Sequence, residues 1–170
     1  MTDQKKRADT AARDANDLAD FALVARRTIR AAPQALFDAW TRADLLVRWW
    51  GPAGVACLGA EIDLQPGGRY RIGNRLPDGQ TLWITGVFER ITPPLELIYS
   101  WSIEGASTPA IPERVTVRFE ARGDATDVVV IHERAASAAI RDQHAQGWEG
   151  CLDGLAGMCD DPKGGAARRF

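Results

Sequence analysis

The chain has 170 residues, 45% hydrophobic and 26% charged, the composition of a globular protein long enough to bury a sizeable core in one domain. Its 21 basic and 23 acidic side chains leave a formal net charge of −2, so no polyanion partner is implied and nucleic acid is not expected. No apolar run approaches the roughly 20 residues of a membrane-spanning helix, so no membrane partner is expected either.

Residues 1–20 carry Lys5, Lys6, Arg7, Arg13 and five aspartates with no apolar centre. They read as a polar, mobile arm rather than a signal peptide. Residues 22–30 form a first strand in which Leu23, Ala25, Arg27 and Ile29 alternate with Val24, Arg26, Thr28 and Arg30. Its arginines suit an edge or a half-wet face. Pro33 then opens a short amphipathic helix through Leu36, Phe37 and Trp40, ending near Thr41. A second helix, Ala43 to Trp50, carries Leu45, Leu46, Trp49 and Trp50, and Gly51-Pro52 stops it.

Strands separated by turn residues follow: Cys57 to Leu64, Arg69 to Arg75, Thr81 to Ile91, Glu96 to Ile103, Glu113 to Ala121 and Asp127 to Glu133. Pro66-Gly67-Gly68, Pro77-Asp78-Gly79, Pro93-Pro94 and Gly123-Asp124 mark breaks between them. A tight turn at Arg122 to Ala125 opposes Phe119 with Val128, Val117 with Val130 and Val115 with His132, all on one face. Hairpin after hairpin, with helices after the first strand and at the end, predicts an α+β fold on an antiparallel sheet.

Ala136 to Cys159 reads as the long helix that covers this sheet. Ile140, His144, Trp148, Cys151, Leu152, Leu155 and Met158 share one face; Arg141, Asp142, Gln146, Glu149 and Asp153 share the other. Gly147, Gly150, Gly154 and Gly157 form a third strip. Each glycine costs about 1 kcal/mol against alanine inside a helix, so something must offset it. Two readings stand: close approach of a neighbouring element, or a flank kept bare for a ligand or partner chain. Residues 161–170 read as a basic, disordered tail, leaving 21–160 as the folded domain.

Phosphate loops, nucleophile elbows and HExxH are missing. Cys57, Cys151 and Cys159 have no CxxC or metal-like spacing, and an odd count without an export signal reads as reduced thiols in a cytoplasm. No metal or cofactor is expected. The two histidines, His132 and His144, are either bonded within a core or serve as a polar anchor or general base in a cavity. Six tryptophans fit a stabilised core or a cavity with flat aromatic walls equally well.

The order of segments resembles the homologues of the activator of heat-shock-protein-90 ATPase, within the START-like helix-grip superfamily. The resemblance runs from Leu23 to Cys159. It rests on Arg27-Thr28-Ile29, Ala32-Pro33, Leu36-Phe37-Asp38-Ala39-Trp40 and Trp49-Trp50-Gly51-Pro52. Further matches are Asp63…Pro66-Gly67-Gly68, Pro77-Asp78-Gly79, Gly86…Glu89…Ile91-Thr92-Pro93-Pro94 and Glu96-Leu97-Ile98-Tyr99. Val115-Thr116-Val117, Thr126, His132 and Gly147-Trp148…Leu152…Leu155 complete it. It implies a sheet of six or so strands curling around the C-terminal helix, with a cavity for lipids, polyketides or other apolar molecules. Catalysis of cyclisation or hydrolysis occurs in a minority of the superfamily.

The reading is therefore a binder of a small apolar or aromatic molecule. Its candidate wall residues are Trp40, Trp49, Trp83, Tyr99, Trp101, Val117, His132, His144, Trp148 and Leu152, with the facing of Trp83 and Trp101 undecided. The alternatives are a cyclase- or hydrolase-type enzyme using His132 or His144 as base, and a chaperone-regulating or homodimeric interaction module.

Overall fold

The computed structural model describes residues 21–107, 109 and 111–161, so the expected arm (1–20) and nearly all of the expected tail (161–170) lie outside the described residues. Strand β1 (Leu23–Ile29) leads into α1 (Pro33–Thr41) and α2 (Ala43–Leu46). Strands β2 (Ala56–Ile62), β3 (Arg69–Arg75), β4 (Thr81–Thr92), β5 (Glu96–Ile103), β6 (Glu113–Arg122) and β7 (Ala125–Glu133) follow, and α3 (Ala138–Asp160) ends the domain. The seven strands form one antiparallel sheet in the order β1-β7-β6-β5-β4-β3-β2. This is the α+β helix-grip layout expected from the sequence.

Consecutive strands from β2 to β7 pair as hairpins, but β1 returns to lie beside β7. The α1–α2 connection therefore carries the chain from one edge of the sheet to the other. The expected second helix is shorter than its apolar pattern: it ends at Leu46 and continues as turns, with Trp50 N–H still bonded to the Leu46 carbonyl at 3.0 Å. At β6–β7, Gly123 takes a φ of 62° in a two-residue turn, which fixes the register. Phe119 meets Val128, Val117 meets Val130 and Val115 meets His132, the pairs that alternation requires.

Against this apolar face lies α3. Ser137 Oγ accepts the Ile140 N–H at 3.2 Å and starts the helix at Ala138, two residues after the expected Ala136. Trp148, Cys151, Leu152 and Leu155 are buried, whereas Ile140 and Met158 at the ends are only half-covered. Arg27, on the inner side of the edge strand β1, reaches Glu149 at 2.8 Å and Asp153, tying the polar face of α3 to the sheet. The core closes with Leu36, Phe37 and Trp40 from α1, the last two packed edge-on to Phe119.

The glycine strip divides between its two readings. A Cβ at Gly150 would come within 2.6 Å of Pro52, and one at Gly154 would run into the Trp49 carbonyl oxygen. The turn after α2 thus presses on this flank, which is not free for a partner chain. Gly147 and Gly157 meet nothing within 4 Å. Among the described residues no helix is long and apolar enough to cross a membrane.

Candidate functional site

Pleating places Glu113 on the same face as Val115, diagonally beside His132 at the open end of the β6–β7 ladder. His132 Nε2 lies 2.7 Å from Glu113 Oε2. From the second turn of α3, His144 brings its Nε2 to 2.8 Å of the same oxygen, without the alignment of a hydrogen bond. The two imidazoles stack at 4.3 Å with 13° between their planes. One helical turn further on, Trp148 Nε1 donates to His132 Nδ1 at 3.0 Å, and Trp101 stands edge-on to both histidines.

Proton positions follow from these contacts. An indole N–H only donates, so His132 Nδ1 must be the bare, accepting nitrogen. Its proton is then on Nε2, donated to the Glu113 carboxylate. His132 is fully buried, and burial pushes its pKa below the usual 6.5, more than the bonded Glu113 carboxylate raises it. For Glu113, burial pushes the carboxyl up, but the contacts with His132 and His144 outweigh this and bring it to about 2. The pair is an ionised carboxylate and a neutral imidazole. Trp148→Phe removes the donor that keeps Nδ1 bare, so the His132 titration followed by NMR is expected to move to higher pH.

Glu113, His132 and His144 also form the one group among the described residues whose donor atoms lie close enough for a metal ion, within 4.8 Å of one another. Their chemistry argues against that role. Ligation through His132 Nε2 requires the proton on Nδ1, where it would face the Trp148 N–H. Nearly parallel stacked rings also send their in-plane lone pairs side by side rather than to one point.

Beside this cluster, between α3 and strands β3–β5, lies a cavity of about 270 Å³. Trp50, Leu82, Ile84, Trp101, Trp148 and Cys151 supply apolar wall, Gly147 leaves room on the helix side, and Asn74, Gln143 and His144 are polar. A second void of about 20 Å³, between Trp40, Tyr70, Phe88 and Tyr99, has space for little more than one water. A wider groove bordered by Glu61, Asp63, Arg69, Arg71, Thr85 and Glu104 is open and polar, and Arg71 is already paired with Glu104 at 2.8 Å.

Of the residues picked from sequence, Trp101, His144 and Trp148 meet at the cavity. Trp40 and Tyr99 border only the small void, where the Trp40 N–H donates to the Tyr99 hydroxyl at 3.2 Å. Trp49, Val117 and Leu152 are packed into solid core, and His132 lies behind Trp148 rather than on the wall. Trp83 is corrected outright: Leu82 and Ile84 face inward, so Trp83 points to the outer side, under the Arg71 guanidinium at 3.8 Å. Trp50, Asn74 and Glu113 were not among the candidates. For Glu113 a signal existed, since it stands two residues before Val115 on the registered strand. For Trp50 the helical pattern of Ala43 to Trp50 misled, because the chain leaves that helix at Leu46.

A curled antiparallel sheet holding a long C-terminal helix, with an apolar cavity between them, defines a START-like helix-grip protein. The sequence profile of the Activator of Hsp90 ATPase homolog 1-like proteins matches residues 30–160, and the chain belongs to that family. No curated protein sequence matches it. Among solved structures, a Chromobacterium violaceum protein is similar with a TM-score of 0.76 at 21% identity, over 84% of this chain and 99% of that one. CalU16 of Micromonospora echinospora is similar at 0.63 and 26%, over 84% and 77%. An Hsp90 activator of Plasmodium falciparum is similar at 0.62 and 22%, over 79% and 92%.

Proposed function

We propose that this protein binds a small apolar or aromatic molecule in the cavity between α3 and β3–β5. The observation that carries the reading is the cavity itself: about 270 Å³, on the inner side of the sheet, with three tryptophans on its wall. That volume lies just under the roughly 300–1,000 Å³ of ordinary small-molecule pockets and well above the ~150 Å³ that holds one benzene ring. A ligand of about two fused rings is the corresponding size. The three unpaired thiols support a reducing compartment such as the cytoplasm.

Trp50, Trp101 and Trp148 would report occupancy directly. Titration with naphthalene-sized apolar compounds is expected to change tryptophan emission, and a library that leaves it unchanged would sink the proposal. Gly147→Phe sharpens the test. The position is helical and open, so a ring there extends into the cavity and abolishes the response while the protein stays folded.

The enzyme alternative needs one histidine that both faces the cavity and is tuned as a base. His144, on the wall, has its Nε2 2.8 Å from the Glu113 carboxylate, whereas His132, whose proton affinity is lowered, is off the wall with both nitrogens committed. Binding without chemistry is the better supported reading. Likeness to an Hsp90 activator at 22% identity carries the fold and no chaperone partner.

A further inference from the structure

Trp148 takes part in two sites at once. Its ring lines the cavity, and its N–H donates to His132 Nδ1 at 3.0 Å behind that wall. It also joins the other wall tryptophans: its ring lies 5.7 Å from Trp50 and 5.6 Å from Trp101, and those two are 6.2 Å apart. Trp40 stacks on it at 5.9 Å within the core. With packed core behind the ring, the open space that adjoins it is the cavity. A shift of this indole therefore alters the shape of the pocket directly.

The second observation is what holds the indole in place: a nitrogen whose character depends on its proton. Neutral His132 keeps its proton on Nε2, 2.7 Å from Glu113, and offers a bare Nδ1. Charged His132 carries protons on both nitrogens, and turning the ring gives no relief because either nitrogen would present an N–H. Two buried N–H groups 3.0 Å apart repel, and the Trp148 donor loses its acceptor. Burial opposes the charged ring most, and the Glu113 carboxylate on β6 favours it. His144 on α3, when charged, opposes it as well, and Glu133, next along β7, favours it more weakly. Leu23 pairs with it from β1 and Trp101 stands beside it from β5, and neither titrates.

We propose that acid empties the cavity: protonated His132 turns the acceptor of the Trp148 N–H into a second donor and drives that ring into the ligand's space. This rests on the binding reading above and adds its regulation. The geometry makes His132 a sensor that never touches the ligand and acts on it through one wall residue.

The test follows the affinity for 2-acetonaphthone, which has no titratable group, between about pH 8 and 5, with the His132 ring resonances read by NMR in the same samples. Affinity is expected to be level on the alkaline side of the His132 midpoint and to fall about tenfold below it, the scale of one lost buried hydrogen bond. By reciprocity, saturating compound should lower the His132 midpoint by about one pH unit. Trp148→Phe keeps a ring and removes the second donor, so its affinity, whatever its value, should stay level across the His132 titration. His144→Gln should keep the fall. The wild-type midpoint shift and His144→Gln decide the matter even if Trp148→Phe fails to fold.

A level wild-type affinity while His132 titrates, an unmoved midpoint at saturation, or a fall retained in Trp148→Phe overturns the switch and leaves the binding reading intact. A fall that vanishes in His144→Gln makes His144 the sensor and overturns it too, as does loss of the folded spectrum before His132 titrates. If the compound binds at no pH, the binding reading itself falls, and this one with it.

Discussion

Glu113→Ala is expected to lower the unfolding free energy by about 3 kcal/mol at neutral pH, measured by urea denaturation, and Glu113→Gln by about half as much. The reason lies with His132, which is fully buried and donates to Glu113 at 2.7 Å while accepting from Trp148. Removing the carboxylate strands a buried N–H that has no other acceptor. Glutamine retains a carbonyl oxygen there, but a neutral one makes the weaker bond.

The same cluster sets the acid limb of stability. Both groups have folded pKa values depressed below their ordinary ones, so each stabilises the fold above its ordinary value, and that stabilisation is lost as pH falls toward the folded one. For His132 the loss begins as pH drops through about 6.5, because protonating it means charging a buried ring. For Glu113 it begins near 4.5 and is complete near 2. Wild-type stability therefore declines in two overlapping stages on acidification, and Glu113→Ala should lack the lower one. An equal slope for the two proteins between pH 4.5 and 2 would remove Glu113 from this role.

The β6–β7 register shows how far the sequence carries the fold. Phe119, Val117 and Val115 on one strand and Val128, Val130 and His132 on the other obey a period of two, and a two-residue turn admits one pairing that keeps the apolar set together. The face of α3 follows in the same way from its period of 3.6. What periodicity does not encode is depth. Val117, Leu152 and Trp148 all point inward, yet only Trp148 reaches the cavity, because that depends on where α3 crosses the curled sheet. Trp83 shows a different limit. Strand β4 carries large side chains on both faces and a register shift between Phe88 and Arg90, so alternation alone did not choose its inner side.

The glycine strip supplies the second large effect, and its value lies in contrast between neighbours of identical chemistry. Gly154→Ala puts a Cβ into the Trp49 carbonyl oxygen, a backbone atom that cannot swing aside as a side chain does. The overpacking cost, of order 1–3 kcal/mol, exceeds the roughly 1 kcal/mol of helix propensity gained, so a net loss near 1 kcal/mol or more is expected, lowering the melting temperature by several degrees. Gly157→Ala, one turn on, meets nothing within 4 Å. It keeps the propensity gain and should raise the melting temperature by about 2–4 °C. The two variants should therefore move in opposite directions in one thermal-unfolding experiment. Because the Trp49 ring packs tilted against Trp40 at 4.7 Å and edge-on to Trp50 at 5.5 Å, a displaced Trp49 backbone also disturbs the cavity wall at Trp50. Gly154→Ala should then weaken the ligand response as well as the fold, whereas Gly157→Ala leaves the response intact, which ties the close helix contact to the shape of the cavity.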